Sequence, residues 1–263
     1  TIKKGELLTV LGPSGCGKST VARLVVKLYE PTNGEIFFGD QNFSSIKSRK
    51  ELKPIRRRIQ MIFQDPYAAL NPRMTVRDII AEPLEVMELV QTREEADQKV
   101  REIASKCRLN LEHLRRFPHA FSGGQRQRIS IARTLVCSPN FVVADESVAA
   151  LDVSIQADIL NLLKSLQNNL GLTFLFISHD LSVVAHICDT VAVMYLGTIV
   201  ESAPTRSLFT QPKHPYTKAL LSAIPTLNPE DRGKAQKLEG EIPSPVNPPS
   251  GCRFHTRCPV AQD

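Results

Sequence analysis

Apolar residues fall into short continuous runs, alternating with stretches that repeat at helical spacing. Leu7-Leu8-Thr9-Val10-Leu11 is a run short enough for a buried strand, and Val21-Ala22-Arg23-Leu24-Val25-Val26-Lys27-Leu28 behind it reads as a helix that Pro31 stops. Gly34 to Asp40 predicts a short strand ending in a turn. Ile59-Gln60-Met61-Ile62-Phe63 is another apolar run, stopped by Gln64-Asp65-Pro66, and Leu70-Asn71-Pro72-Arg73 has loop chemistry. From about Val76 to Pro139 the period turns helical. Ala96, Val100, Ile103, Ala104 and Cys107 mark one face, and a later helix should start near Gly124 and run through Ile129, Ala132 and Leu135 to a stop at Ser138-Pro139. Alternation then resumes. Phe141-Val142-Val143-Ala144 is a strand, Ile155, Ile159, Leu163, Leu166 and Leu170 mark a helix that Gly171 is placed to cap, and Thr173 to Ile177 is the next strand. A helix near Leu181 to Ile187 follows, then two strands flanking Leu196-Gly197 as a hairpin.

Strands alternating with helices predict an α/β sheet. The division expected is a core over 1–66 and 139–210, a helical insertion over 67–138, and a Pro-rich extension over 211–263 carrying Pro243, Pro245, Pro248 and Pro249. That extension reads as an extended tail rather than more core. No internal repeat is found. With 263 residues and 42% hydrophobic composition there is material for one large domain, or for a core with an inserted subdomain. No apolar run approaches the ~18 residues of a bilayer span. The opening Thr1-Ile2-Lys3-Lys4-Gly5 lacks an initiating Met and a signal-peptide pattern, so the sequence is expected to begin inside a domain. The six cysteines are mostly scattered singly, as in a reducing compartment, apart from the late pair Cys252 and Cys258. The net charge of +6 includes a basic cluster from Lys47 to Arg58. Nucleic-acid binding is the sharp reading of that cluster. No zinc-ligand spacing, RNP-type aromatics or helix-turn-helix signal reinforces it, so a solvated face, near lipid headgroups, is the favoured reading.

The chemistry sits where predicted strands end. Gly12-Pro13-Ser14-Gly15-Cys16-Gly17-Lys18-Ser19-Thr20 fits G-x-x-x-x-G-K-[ST] between a strand and a helix. Glycines there turn backbone N–H groups inward and the helix dipole adds positive potential, which makes a triphosphate site. Lys18 would bridge the β- and γ-phosphates, Ser19 would bind Mg²⁺, and Thr20 is placed to contact a phosphate oxygen. Three further strand ends carry polar groups suited to Mg-ATP: Gln64, Asp145-Glu146 and Ser178-His179-Asp180. Asp145 would hold Mg²⁺ together with Ser19 and Gln64. Glu146 would polarise the attacking water, and His179 would hydrogen-bond the γ-phosphate and that water. A second glycine-rich turn, Ser122-Gly123-Gly124-Gln125 after Phe121, opens another helix and hence a second anion site.

With these motifs in place the chain resembles the ATP-binding cassette (ABC) transporter ATPases over nearly everything from Gly5 to about Tyr216. Gly12–Thr20 matches their Walker A, Gln64 the Q-loop, Ser122–Gln125 the signature, Asp145 with Glu146 the Walker B end, Ala149-Ala150-Leu151-Asp152 the D-loop and His179 the switch. The resemblance implies a P-loop NTPase, RecA-like core with an antiparallel β part and an inserted α-helical signature subdomain. It also implies two cassettes paired head to tail, each ATP lying between one Walker A and the other subunit's signature, so that Ser122 and Gly124 serve the partner's γ-phosphate. Transmembrane permease subunits would receive the motion through the Q-loop and helical subdomain, at the cytoplasmic face of the cell membrane. The adenine-stacking aromatic should lie upstream of Gly12, outside this sequence.

Phe63 to Arg73, Leu151-Asp152-Val153-Ser154-Ile155-Gln156, and the tail motifs His214-Pro215-Tyr216-Thr217 and Pro248 to Pro259 are similar to oligopeptide and dipeptide importer ATPases. In some members of that branch further cysteines complete an iron–sulfur cluster, which normally takes four ligands. Cys252 and Cys258 supply two, so the end is expected to be a truncation, with free thiols in a mobile tail as the other reading. Ser147, Ala149 and Phe121 depart from the common Pro, Ser or Thr, and Leu. Ala149 puts communication between the two sites in doubt. Nickel or glutathione as cargo stays open, as does a homodimer against pairing with a sister ATPase, which the branch favours. A substrate-binding protein would choose the cargo. A soluble cassette acting on nucleic acid is the rival from another class, and no nucleic-acid partner is expected.

Overall fold

The computed structural model describes residues 1–223, 238 and 240–261. Along the chain run β1 (Leu7–Leu11), α1 (Lys18–Val25), β2 (Phe37–Phe38), β3 (Gln41–Asn42), α2 (Arg49–Arg58), β4 (Ile59–Ile62), α3 (Pro66–Ala69), α4 (Val76–Val86) and α5 (Arg93–Lys106). Then come α6 (Gly123–Leu135), β5 (Phe141–Asp145), α7 (Val153–Leu170), β6 (Thr173–Ser178), α8 (Leu181–Ile187), β7 (Thr190–Tyr195), β8 (Thr198–Pro204), α9 (Thr205–Thr210) and α10 (Pro215–Ser222). Single 3₁₀ turns at Leu111–Arg115 and Pro118–Ala120 link α5 to α6. Among the described residues no helix is long and apolar enough to cross a membrane.

Two compact units share these elements: Thr1–Gly5 with Ala22–Leu175, and Glu6–Val21 with Phe176–Asp263. In the first, β4 and β5 pair in parallel with Ile62 opposite Ala144. Gln64 and Asp145 therefore leave neighbouring strands at the same carboxyl edge. The helices of this unit follow their local signals. Thr92 caps α5 by accepting from the Glu95 amide, Glu94 and Glu95 meet the positive end of its dipole, and Ala96, Val100, Ile103 and Ala104 are its buried stripe. Arg77 of α4 donates to Asp97 of α5 at 2.6 Å, a half-buried bond that holds the two helices in register. Gly171, in the left-handed region at φ 63°, ends α7.

In the second unit β1 pairs in parallel with β7, Leu11 opposite Val193, and β7 turns through Leu196-Gly197 into antiparallel β8. The core cluster here gathers Leu11, Val193, Tyr195, Leu196, Tyr216 and Phe254, all buried. This corrects the expectation of a tail outside the core. Phe254 is 0% exposed, stands edge-on to Tyr195 at 5.3 Å and packs 5.4 Å from Tyr216. Two aromatic anchors, Tyr216 and Phe254, hold the extension, because a buried ring removes a large apolar area from water while prolines reduce the entropy lost on ordering. Phe254→Ala is expected to cost about 3–5 kcal/mol of stability, read as a lower midpoint in thermal denaturation, and an unchanged midpoint would contradict this packing.

Two further expectations are corrected. The strand over Gly34 to Asp40 reduces to Phe37–Phe38 paired with Gln41–Asn42, since the chain turns at Gly39 (φ 61°) after only two residues. The first helix ends at Val25, not Leu28, because Lys27 takes φ 56° and the Lys27 and Leu28 amides close on the Leu24 and Arg23 carbonyls. Lys27 is held there by donating to the carbonyls of Phe43 and Ser44.

Candidate functional site

In the second unit the loop from Gly12 to Gly17 joins β1 to the start of α1. Two of its glycines are required by geometry. Gly17 sits at φ 104°, a conformation that side chains rarely adopt, and a Cβ on Gly12 would lie 2.5 Å from the Met194 carbonyl oxygen of β7. Lys18 is 4% exposed, and its ammonium donates to the Gly12 and Pro13 carbonyls at 2.9 and 3.0 Å. No carboxylate among the described residues pairs with it. A buried cation held by neutral carbonyls alone is short of counter-charge, so a phosphate fits the loop. Pro13, Ser14, Gly15, Ser19 and Thr20 lie on the outer, more accessible side of the loop and helix start. Cys16 is buried, and burial pushes its thiol up against the pull of the Lys18 ammonium, which leaves it a poor nucleophile. His179 is exposed immediately after β6. The adjoining Asp180 caps α8. Burial opposes its charge, but hydrogen bonds from the Ser182 hydroxyl and the Ser182 and Val183 amides, with His179 nearby, hold its carboxyl below the usual range.

In the first unit β4 and β5 deliver Gln64, Asp145 and Glu146 to one edge. Asp145 is buried at the strand end. Glu146 takes φ 44°, a left-handed conformation costing about 1–3 kcal/mol in a non-glycine residue. Strain of that kind is kept where the fold holds a side chain to one direction. The Gln64 amide nitrogen donates to Glu146 Oε2 at 2.9 Å, so these two predicted site residues are in contact. That bond leaves the Gln64 amide oxygen available to a cation.

Ser122 caps α6 in a reciprocal box with Gln125: the Gln125 amide donates to Ser122 Oγ, and the Ser122 amide donates to Gln125 Oε1 at 3.0 Å. Both residues are exposed, leaving the start of α6 open on its outer side. Gly124 has a packing reason as well, since a Cβ there would sit 2.5 Å from Ile155 Cγ2 of α7. Gly123 is less confined, its nearest neighbour being Leu151 at 3.5 Å.

Several participants escape sequence reasoning. Arg126 is buried, donates to the Pro118 carbonyl at 2.8 Å and lies 3.8 Å above the Tyr67 ring, which ties α6 to the turn after Gln64. The only sequence signals were a basic residue after the glycine turn and an aromatic after Asp65-Pro66. Arg253 is another, since its Nη1 donates to the Leu196 carbonyl. Cys252 and Cys258 are free thiols, one exposed and one half-buried. Among the described residues no group of three or more His, Cys, Asp or Glu could hold a metal ion, so the donor set present does not fit an iron–sulfur cluster.

Comparison with known proteins gives two family matches: residues 1–149 match the ABC transporter model, and residues 200–263 match the oligopeptide/dipeptide transporter C-terminal region. The oligopeptide transport ATP-binding protein AppF of Bacillus subtilis (strain 168) is 52% identical over 264 residues, covering 100% of this chain and 80% of that protein. A putative peptide import ATP-binding protein of Brucella ovis is 52% identical over 262 residues, covering 100% and 82%. Among solved structures, the ATP-binding cassette MJ0796 in a dimeric post-hydrolysis state bound to ADP and Pi superposes with a TM-score of 0.70 at 30% identity, covering 78% of this chain and 88% of that one. The cbiO1 protein of Clostridium perfringens, part of the ABC transporter complex cbiONQ, gives 0.72 at 28% identity, covering 80% and 82%.

Proposed function

From its membership of the ABC transporter family, to which this chain belongs, we propose that it is the ATP-hydrolysing subunit of a peptide importer, paired with a second cassette and docked on permease subunits at the cytoplasmic face of the membrane. The observation that carries the cargo class is the match of residues 200–263 to the oligopeptide/dipeptide C-terminal region. ATP hydrolysis follows from the family, and the roles of individual residues are assigned by chemistry. Lys18, buried and lacking a carboxylate partner among the described residues, takes the β- and γ-phosphates, with the amides of Gly15 to Thr20 around them. Glu146 accepts a proton from the water that attacks the γ-phosphorus, and His179 steadies the water and the phosphate. Gln64 fixes the Glu146 carboxylate through its 2.9 Å bond. The Ser19 hydroxyl in the second unit, and the Gln64 amide oxygen and Asp145 carboxylate in the first, are each oxygen donors of the kind that would hold Mg²⁺, which when bound would neutralise charge on the phosphates.

The exposed face of Ser122 and Gln125 at the start of α6 suits a phosphate presented by a partner cassette. The related MJ0796 cassette is dimeric in its post-hydrolysis state with ADP and Pi, which supports pairing of cassettes here. A chromosomal deletion of this subunit, complemented by the wild-type chain, tests the cargo. Uptake of labelled dipeptides and oligopeptides is expected to be lost on deletion and restored on complementation. Loss of nickel or glutathione uptake with peptide uptake intact would replace the peptide reading.

A further inference from the structure

The two-residue connection between β7 and β8 is strained and held from both sides. Leu196 adopts φ 43° and Gly197 φ 78°, the paired left-handed conformation of a tight hairpin that a branched residue such as leucine disfavours. On one side the Gly197 amide donates to the carbonyl of Cys16, inside the phosphate loop, at 2.8 Å. On the other, Arg253 Nη1 donates to the carbonyl of Leu196. The guanidinium lies so near that a Cβ on Gly197 would approach it to 3.1 Å, and a Cβ on Gly17 would come within 3.8 Å of the Gly197 Cα. Phe254 follows directly and shares one buried cluster with the Leu196 side chain, so neighbouring residues of the extension hold the turn by backbone and by packing.

We propose that Arg253 is a positioning residue for the phosphate loop: by holding the Leu196 carbonyl it keeps the β7–β8 turn in the left-handed form whose Gly197 amide fixes the loop at Cys16. This rests on the reading that Gly12–Thr20 binds the triphosphate. Without the guanidinium the turn relaxes, the Gly197 amide loses its aim, and the glycine loop samples conformations that do not present its amides to phosphate. Binding must then select the competent fraction, which weakens affinity in proportion to that fraction. The chain has a built-in link from its extension to its nucleotide site.

The test compares the full chain with its Arg253→Ala and Arg253→Lys variants by titration with a fluorescent ATP analogue, by ATP hydrolysis kinetics, and by thermal melting without nucleotide. Loss of a charge-assisted hydrogen bond predicts about tenfold weaker nucleotide binding and a similar rise in KM for Arg253→Ala, with kcat within about twofold. The nucleotide-free melting temperature should stay near wild type because Phe254 remains in its cluster. Arg253→Lys keeps a donor and should recover most of the affinity. Wild-type affinity in Arg253→Ala would overturn the proposal. So would affinity and melting temperature falling together with no recovery in Arg253→Lys, since that is general destabilisation. A wild-type chain that fails to bind ATP would overturn the underlying reading of the loop, and this one with it.

Discussion

Glu146→Gln is expected to lower ATP turnover by about 10²–10⁴-fold while leaving nucleotide affinity close to wild type. The substitution keeps size and shape but removes the carboxylate that takes the water's proton. Binding is spared because the phosphate-holding groups, Lys18 and the loop amides, belong to a different stretch of chain. The strained backbone at Glu146 (φ 44°) and the bond from Gln64 act on the position of the side chain, and an amide in the same place inherits both constraints without the basicity. Phosphate release at saturating ATP measures the first effect and nucleotide titration the second. Slow turnover with retained binding should also accumulate an ATP-bound dimer, visible as a shift in size-exclusion chromatography. Normal hydrolysis by Glu146→Gln would place the base elsewhere.

Lys18→Ala should weaken ATP binding by at least about 10²-fold, because two charge-assisted contacts to phosphate are each worth roughly 1.5–3 kcal/mol. The variant also frees the Gly12 and Pro13 carbonyls that the ammonium satisfies at 2.9 and 3.0 Å, so a modest loss of nucleotide-free stability accompanies it. Thermal melting separates the two effects. ATP should raise the wild-type midpoint by mass action and leave that of Lys18→Ala unmoved. An equal shift in both proteins would remove Lys18 from the binding assignment.

The nucleotide loop was legible because its requirements are local. A strand, a glycine turn and a helix start are consecutive in the chain, and Gly17 at φ 104° needs no distant partner to explain it. The same holds for the Ser122–Gln125 box and for the Gly171 cap. Gly12 and Gly124 were recognised for the right motifs on half of the physical grounds. What forbids a side chain at each is Met194 in one case and Ile155 in the other, and neither contact is written in the neighbouring sequence. The extension departs from the expected tail because proline content says nothing of the two rings, Tyr216 and Phe254, that find a cluster. Arg253 lies within the Pro248 to Pro259 motif, yet its role was not legible there, since one basic residue among several acquires meaning only from the carbonyl it meets.

By itself the sequence determined most core strands and helices, though not β3, α2, α9 or α10, together with the two glycine-rich turns and the acidic and polar residues at strand ends, since these follow from periodicity and from the stereochemistry of adjacent residues. The tertiary structure alone decided that Gln64 meets Glu146, that Arg126 covers Tyr67, and that Phe254 and Arg253 return to the β7–β8 turn beside Cys16. Those contacts join residues far apart in the chain, and packing chooses among the many partners that local propensity leaves equally open.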